Sequence, residues 1–414
     1  MPAYGHRYRR SMTITDSSTM ASQIHSSIKR SSKMNTVTPM GNIGWTLGND
    51  CPYRCKHCYS HIVRNRGRDL TKKDIDRIIQ QIVSINVQTV NLGGNEPIFT
   101  NGSNPKDTLL PYIIRSLYDA KIVVGLTTAG ITLTYLERFY PETLTFINDV
   151  DVSLDSPFSE EHNTNRGAPL FNQAIKALDV CDEYGIDHTV VMCGMNWNLS
   201  DRHIDELIQL ARKHHAFVRI NYIKPTELGH TEKIPDAATY YRSADRLLSQ
   251  CQLVEMGEPL VSVAAGLPHK GCPCGTKSFR IHSITPDGKV PVSPCVYAHD
   301  YKIGDLLTDD LADIIQSIPF QIFRSRHEKP QTIDGCSGCQ HIESCRGGCA
   351  SRAYLTEKFK SGKIDLSVRD PYCILDAERS NSERLTIGNI EMFQQPGIVL
   401  VHRDYLCTLI AKPK

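Results

Sequence analysis

Eleven of the fifteen cysteines fall into two groups whose spacing suits metal-ligand chemistry. The first group is Cys51, Cys55 and Cys58, and the second group lies between Cys272 and Cys373. Thiolates are the usual ligands of iron–sulfur clusters, and a four-iron cluster held by only three of them keeps one iron open to a small chelating molecule. The sequence therefore predicts iron–sulfur chemistry, with an open coordination site at the first group.

Composition limits the class of protein and its partners. An odd cysteine count, C-x-x-C spacings and no secretory signal favour metal ligation in a reducing compartment over disulfides. The 47 basic and 45 acidic residues give a net charge of +2, which disfavours nucleic acid as an obligate partner. No apolar run approaches the roughly 18 residues of a membrane span. We therefore expect a cytoplasmic protein that binds neither nucleic acid nor membrane.

Short apolar runs alternate along the chain with helical patterns, which is typical of strand–helix units and a parallel sheet. These predicted strands and helices must position the cysteines. The predicted strands are 43–47, 89–92, 122–127, 150–154, 188–192 and 217–222. Helices are predicted after Thr71, where Thr71 and Asp74 resemble a capping box, and at about 168–184, 201–214 and 237–248. Right-handed crossovers would curl these units into a partial (β/α)6 barrel of the α/β class, similar to a TIM barrel but open.

We expect five segments along the chain. They are a disordered tail at 1–38, the partial barrel at 39–228, a bridging segment with a helix at 229–270, a loop-rich cluster-binding domain at 271–375 and a C-terminal tail at 376–414. The first segment is poor in acidic residues, so an organellar transit peptide is the alternative to a plain tail, and internal methionines such as Met34 leave room for a mis-assigned start. In the last segment, residues 398–401 and 406–410 are predicted to form a hairpin.

Three polar motifs follow predicted strands at the end where barrel ligands bind. Gly-Gly-Asn-Glu-Pro occupies 93–97, Thr-Thr-Ala-Gly occupies 127–130, and Ser-Leu-Asp occupies 153–155, with Arg166 further on. Glycine permits close approach of the backbone to a ligand, and a guanidinium suits a carboxylate. Each motif alone is equally explained by a turn, a helix cap or a surface salt bridge.

Together, the Cys-x3-Cys-x2-Cys loop after the first strand and the six strand–helix units resemble the radical S-adenosylmethionine (SAM) superfamily over about residues 43–225. The resemblance implies that the open iron binds SAM and that one electron cleaves SAM to methionine and a 5'-deoxyadenosyl radical, which abstracts a substrate hydrogen. The SAM contacts that it implies are Tyr59, Gly94, Asn95, Glu96, Thr128, Ser153 and Arg166. Asn95 and Ala129 depart from the residues that the family usually has there. A zinc site completed by His57 or His61 is the alternative reading of the cysteine loop.

The second cysteine group resembles the SPASM extension over about residues 272–375. By that resemblance, one auxiliary four-iron cluster would be held by Cys336, Cys339, Cys345 and Cys373. The other auxiliary cluster would be held by Cys274, Cys295 and Cys349, with Cys272 as fourth ligand. The tight Cys272-Pro-Cys274 spacing leaves open that Cys272 is free, and structural zinc is the alternative for the whole group.

The remaining cysteines, Cys181, Cys193, Cys251 and Cys407, are expected to be inert buried thiols, except that Cys193 is expected to face the cavity. Asp155, His162 and Tyr222 are the candidate acid–base groups, and the sequence does not choose between them.

The resemblance implies an oxidoreductase that modifies a ribosomally made precursor peptide through a thioether, carbon–carbon or carbon–heteroatom crosslink. Its cofactors would be SAM and three four-iron clusters, and flavodoxin or ferredoxin would supply electrons. Because the sequence before the first strand is too short for a recognition domain of about 80 residues, a leader-peptide recognition protein would be separate or absent. The alternatives are a sulfatase-type formylglycine maturase, a dehydrogenase of sugar-like alcohols, and a zinc-stabilised binding protein without redox activity.

Overall fold

The computed structural model describes residues 41–47, 51–61, 68–268, 271–381, 385–395 and 397–414, so the predicted tail at 1–38 lies outside the described residues. Pro39–Lys414 forms one compact unit. Its strands are β1 Asn42–Thr46, β2 Thr89–Gly93, β3 Val123–Thr128, β4 Asp149–Ser153, β5 Asp187–Gly194, β6 Phe217–Tyr222, β7 Cys251–Met256, β8 Ser278–Ile281, β9 Val292–Ser293 and β10 Leu409–Pro413. They form a single sheet in the order β7-β10-β6-β5-β4-β3-β2-β1-β8-β9.

The six central strands, β1 to β6, are parallel and follow one another in sequence order, which confirms the predicted α/β partial barrel. Side chains alternate between the two faces of each strand. On the outer face Val90, Val124 and Val152 are buried and apolar, as expected for strands covered by helices. On the inner face, polar residues such as Asn91 and Arg219 line a cavity. The outer face of the sheet therefore packs against the helices, and the inner face supplies the polar residues of the cavity.

The described helices are α1 Lys72–Ser84, α2 Leu110–Asp119, α3 Ile131–Phe139, α4 Ser159–Arg166, α5 Phe171–Tyr184, α6 Asp201–Lys213, α7 Ala237–Gln250, α8 Pro259–Ala264, α9 Leu311–Ile315, α10 Ile318–Glu328, α11 Ile342–Cys345, α12 Ala350–Ser361 and α13 Ile374–Asn381. The predicted capping box begins α1, with the Thr71 hydroxyl accepting from Asp74 N at 3.2 Å. The helix predicted from about residue 168 begins only at Phe171. Gly167, with φ of 67°, ends α4 in the left-handed conformation and separates the two helices.

None of these described helices is both long enough and apolar enough to cross a bilayer.

The predicted hairpin between 398–401 and 406–410 is wrong. Instead, β10 lies antiparallel between β6 and β7, with Leu409 opposite both Ile220 and Met256. The apolar pattern indicated a strand, but it did not indicate the partner. A six-stranded parallel sheet leaves the backbone groups of its last strand unpaired, and a distant segment can satisfy them.

Two strands from the cysteine-rich region extend the opposite edge of the sheet. β8 lies parallel to β1, with Ser278 opposite Asn42 and Ile281 opposite Trp45, and β9 pairs antiparallel with β8. The region predicted as loop-rich therefore contributes strands as well as the short helices α9 to α11. This pairing ties the cysteine-rich region to the strand that precedes the first cysteine group.

Residues 400–407, hereafter the C-terminal segment, lie against the inner face of the sheet. A Cβ placed on Gly125 would be 2.8 Å from the Val401 side chain, and one on Gly44 would be 1.9 Å from the Tyr405 hydroxyl. Only glycine permits this approach of two segments. The C-terminal segment thus fills part of the partial barrel from within.

A buried ion network connects the segments of the cysteine-rich half. Arg352 donates to the Asp370 carboxylate through Nε and Nη2, both at 2.9 Å, and lies 3.2 Å from Glu258. None of the three side chains is more than 2% exposed. Buried charges are tolerated when they are paired and hydrogen-bonded. Asp370 also accepts from Cys349 N at 2.7 Å, so the network positions the start of α12 and its cysteine.

Asp149 gives the fold a pH dependence that can be measured. Burial and the neighbouring Asp151 raise the pKa of Asp149 to about 8, while its carboxylate accepts from Val401 N at 3.2 Å. The folded state binds the Asp149 proton more tightly than the unfolded state does. The contribution of this proton to the stability of the folded state is therefore lost as pH rises toward 8. We expect the melting temperature of the wild type to fall relative to that of Asp149→Asn, by about 2 to 4 °C between pH 5.5 and 8.5.

The matched control is Asp187→Asn, which changes an exposed carboxylate at the same register level of the adjacent strand β5. Its melting temperature should follow that of the wild type at every pH. Parallel curves for the wild type and Asp149→Asn would contradict the assignment of a protonated, buried Asp149.

Candidate functional site

A cavity lies at the carboxyl ends of the central strands. Its walls come from the first cysteine loop, the loops after β2, β3 and β4, the strands β5, β6 and β8, and the C-terminal segment. The predicted site residues that line it are Cys51, Cys55, Cys58, Tyr59, Gly94, Asn95, Glu96, Thr128, Ser153, Asp155 and Arg166. Residues from four separate motifs therefore meet in one place, as the parallel sheet requires.

The first cysteine loop presents its three thiols to this cavity. Cys58 N donates to Cys55 O at 3.2 Å, and Lys56 N donates to Asn165 O at 2.9 Å, which attaches the loop to the end of α4. Cys51 is 7% exposed and the other two are partly exposed. Burial raises the pKa of the Cys55 thiol to about 11, a cost that a bound cation would offset. Three converging thiols are the donor set that an open four-iron cluster needs.

The loop after β2 is joined directly to the cysteine loop. The Ser60 hydroxyl donates to Gly94 O at 3.0 Å and also contacts the Asn95 side-chain oxygen at 3.0 Å. The Cys58 thiol lies 3.2 Å from the same hydroxyl. Ser60 thus sets the distance between the thiols and the backbone at 94–95, where the resemblance implies a SAM contact.

Glu96 is buried and its carboxylate is fully engaged by the protein. It accepts hydrogen bonds from Ala129 N at 2.9 Å, from Thr132 N at 3.1 Å, and from the hydroxyls of Thr128 and Thr132. These donors surround the start of α3, where the helix dipole stabilises an anion. Burial raises the pKa of Glu96, and these hydrogen bonds oppose the rise. In this structure Glu96 joins the loops after β2 and β3.

Asp155 and Arg166 form a buried two-point ion pair in the cavity wall. The guanidinium places Nε 2.6 Å from one carboxylate oxygen and Nη2 3.0 Å from the other. Asn165 donates to the same carboxylate at 2.9 Å. Burial pushes the pKa of Asp155 upward, but Arg166 and the nearby histidines outweigh it and hold the pKa well below its usual value. Asp155 therefore stays an anion that fixes Arg166 and is a poor proton acceptor.

Two of the three predicted acid–base candidates lie outside the cavity, which corrects the prediction. His162 is fully buried, and its Nδ1 accepts from Asp155 N at 3.1 Å. Tyr222 belongs to the outer face of β6, and its hydroxyl lies 3.0 Å from the Ser243 hydroxyl on α7. Since neither lines the cavity, of the three only Asp155 is at the site.

Several cationic groups in the cavity were not predicted. Arg280 on β8 donates through Nε to the Thr46 hydroxyl at 2.7 Å and through Nη1 to the Tyr405 hydroxyl at 3.1 Å. Lys224 is 2% exposed and lies 3.8 Å from Glu258. The period-two pattern of β6 could have identified Arg219 on the inner face. No local sequence signal indicates Arg280, because its place depends on the long-range pairing of β8 with β1. Lys224 comes two residues after β6, at the strand end where ligands were expected, but its type and position were not singled out.

The structure brings the cysteines of the first predicted auxiliary group together. Cys272, Cys274, Cys295 and Cys349 are each at most 3% exposed and pack in one buried cluster. The Cys272 thiol lies next to those of Cys274 and Cys349, and the Cys274 thiol lies next to that of Cys295. The same cluster contains Cys407, which was expected to be an inert thiol apart from this group.

The second predicted auxiliary group lies on two segments that contact each other, since Arg369 Nε donates to Asp334 O at 3.1 Å and so joins the residues before Cys373 to those before Cys336. Burial raises the pKa of the Cys345 thiol to about 11. Tight turns present these thiols, with Cys339 N donating to Cys336 O at 3.1 Å and Cys373 N to Asp370 O at 2.9 Å. Thiolates are the ligands of four-iron clusters, so the donor chemistry of both groups fits.

Among the residues that the structure describes, no three or more His, Cys, Asp or Glu side chains are grouped so that they could hold a metal ion.

Two family models match the chain. The Radical SAM superfamily matches residues 45–211, and the SPASM iron–sulfur cluster-binding domain matches residues 272–340. These ranges contain the first cysteine loop and the first cysteines of the second group.

Relatives and solved structures agree with these matches. Mycofactocin maturase MftC of Mycobacterium ulcerans is 27% identical over 349 residues, covering 80% of this chain and 86% of MftC. The structure of anSMEcpe with bound AdoMet superposes with a TM-score of 0.60 at 16% identity, covering 81% of this chain and 92% of that one. The structure of Streptococcus suis SuiB bound to precursor peptide SuiA superposes with a TM-score of 0.57 at 16% identity, covering 88% of this chain and 84% of the SuiB chain. The chain therefore contains a domain of the radical SAM superfamily, followed by a SPASM iron–sulfur cluster-binding domain.

Proposed function

We propose that this protein is a radical SAM maturase that oxidatively modifies a ribosomally made precursor peptide. The observation that carries the proposal is one cavity reached by the three-cysteine loop on one side and by residues next to an auxiliary cysteine group on the other. The maturase MftC among its relatives, and a SuiB structure with a precursor peptide, support the peptide as substrate.

Cys51, Cys55 and Cys58 would hold the SAM-binding cluster in this proposal. The two further cysteine groups would hold auxiliary four-iron clusters, giving three clusters in all. When bound, the first cluster and SAM supply a 5'-deoxyadenosyl radical that takes a hydrogen atom from the substrate.

The chain's own side chains would orient SAM. Arg166 lies in the cavity wall, where Asp155 fixes the orientation of its guanidinium group. A guanidinium held in this way is preorganised to bind a carboxylate such as that of SAM. Tyr59, Asn95, Thr128 and the backbone at Gly94 would form the remaining contacts, with Ser153 at the end of β4. Glu96 would act by positioning the loops after β2 and β3.

Net oxidation needs an electron to leave the substrate after the hydrogen atom has been removed. Tyr297 lines the cavity and comes two residues after Cys295 of the first auxiliary group. Its ring is 5.3 Å from that of Tyr59 and 5.2 Å from the Lys224 ammonium. A cluster held by this auxiliary group would supply an electron acceptor close to the cavity. With one hydrogen atom removed, one electron passed to that cluster and one proton released, the peptide would lose two hydrogens overall.

The reductant and the recognition partner belong to the proposal as well. Flavodoxin or ferredoxin would supply the electron for SAM cleavage, and a separate leader-peptide recognition protein would present the substrate. The proposed setting is the cytoplasm, whose reducing conditions favour thiolate ligation.

The activity test uses the anaerobically reconstituted protein with SAM and dithionite. We expect 5'-deoxyadenosine from the wild type, and more than about a hundredfold less from Cys58→Ala because a cluster ligand is lost. Cys181→Ala, which removes a buried thiol of α5 far from the groups, is the matched control and should keep the activity. If a short peptide is encoded beside the gene, it is the candidate precursor to test, and its product should be lighter by about 2 Da, the mass of two hydrogens.

Undiminished 5'-deoxyadenosine from Cys58→Ala would refute the cluster assignment. An unmodified peptide despite SAM cleavage would refute the substrate and favour a protein or small-molecule alternative.

Arg166 gives a second prediction. Arg166→Lys keeps the charge but loses the two-point fork, so we expect SAM to bind about tenfold or more weakly. Equilibrium binding of SAM to the oxidised, reconstituted protein measures this without turnover. Arg115→Lys, on the exposed face of α2, is the control and should bind SAM like the wild type. Equal SAM affinity in the wild type and Arg166→Lys would remove Arg166 from the SAM site.

A further inference from the structure

Five thiols meet at the first auxiliary group, although a four-iron cluster has four corners to ligate. The fifth thiol is Cys407, which is 3% exposed and belongs to the same buried cluster as the predicted ligands. The same cluster contains Cys272 and Cys349, whose thiols lie next to that of Cys407. Cys407 comes after Cys373, the last cysteine of the SPASM-like spacing, so that spacing does not indicate it.

The position of Cys407 is fixed by contacts on both sides. Its carbonyl accepts from the buried Lys224 ammonium at 3.3 Å. Two residues earlier, Tyr405 O accepts from the Ser278 hydroxyl at 2.7 Å, and Cys274 Sγ lies 4.0 Å from the same oxygen. Two residues later β10 begins, and its pairing with β6 and β7 holds the chain on that side. The thiol is therefore held in place by the fold.

Cys272 is less suited than Cys407 to be the fourth ligand. Only Pro273 separates Cys272 from Cys274, and a proline restricts both its own backbone and that of the residue before it. A cubane requires its four sulfurs at four separate corners, and a single proline between Cys272 and Cys274 limits how far apart their two thiols can be placed. Cys407 reaches the same buried cluster from a different segment, so its position is not constrained by that of Cys274.

We propose that Cys407 is the fourth ligand of the auxiliary cluster held by Cys274, Cys295 and Cys349, with Cys272 as a neighbouring thiol outside the ligand set. This inference rests on the proposed function, since it requires that the auxiliary cluster is present. Ligation replaces the thiol proton of Cys407, which is released to solvent. The C-terminal segment, which lines the SAM cavity, is then covalently tied to the auxiliary cluster.

The test compares full-length variants reconstituted with ⁵⁷Fe, using iron content, Mössbauer spectra and EPR. Wild type should hold about twelve irons, and Cys407→Ala should lose between about one and four of them, with a three-iron EPR signal on oxidation when one iron is lost. Cys251→Ala is the matched control, because Cys251 is a fully buried thiol whose strand also pairs with β10. It and Cys272→Ala should keep the iron content of the wild type.

If the alanine variant folds poorly, Cys407→Ser provides a second test of whether residue 407 is a cluster ligand. A serine oxygen can remain as a ligand, so the iron should stay while the reduction potential of one cluster falls in an EPR-monitored titration. Wild-type iron content in Cys407→Ala, or a wild-type potential in Cys407→Ser, overturns the proposal. If the wild type itself bound iron only at the first cysteine loop, the proposed auxiliary clusters would fail, which is a separate result.

Discussion

The two edges of the six-stranded parallel sheet determine how the rest of the molecule is arranged. Each edge strand would leave a row of backbone donors and acceptors unpaired, and burying them unpaired is costly. β8 satisfies the edge at β1, and β10 satisfies the edge at β6. β8 carries Arg280, and β10 directly follows the C-terminal segment. Pairing of these two strands with the sheet edges therefore also brings Arg280 and the C-terminal segment to the cavity. Backbone pairing thus assembles a site from distant parts of the sequence.

Several arginine side chains line the cavity, and the carboxylates beside them are each paired with one arginine. Arg166 is paired with Asp155 at 2.6 Å, and Arg219 with Asp151 at 2.9 Å, all four side chains being mostly or fully buried. Such pairs hold long side chains in fixed positions, which is the condition for orienting a charged ligand without reorganisation. Arg280 lies in the same wall with one nitrogen, Nη2, buried and without a hydrogen bond. The site is therefore suited to anionic or zwitterionic ligands bearing carboxylates.

Local patterns predicted what depends on local physics. The six central strands, the capping box at Thr71 and the convergence of the first cysteine loop with the motifs at Asn95 and Ser153 all follow from periodicity and the geometry of parallel strands. What was missed depends on long-range pairing, such as the place of β10 and of Cys407. Tyr222 was misjudged for a different reason, since the alternation of β6 already placed it with the outward-facing residues.

The central claim is that the three-cysteine loop holds a cluster with an open iron in the same cavity that binds SAM. The most direct measurement is the EPR spectrum of the dithionite-reduced, anaerobic protein recorded with and without SAM. The account predicts that SAM shifts the g-values of one cluster and leaves any other cluster signal unchanged, because the proposed assignment gives a fourth thiol ligand to each auxiliary cluster and none to the first loop. Spectra that are identical with and without SAM would contradict it.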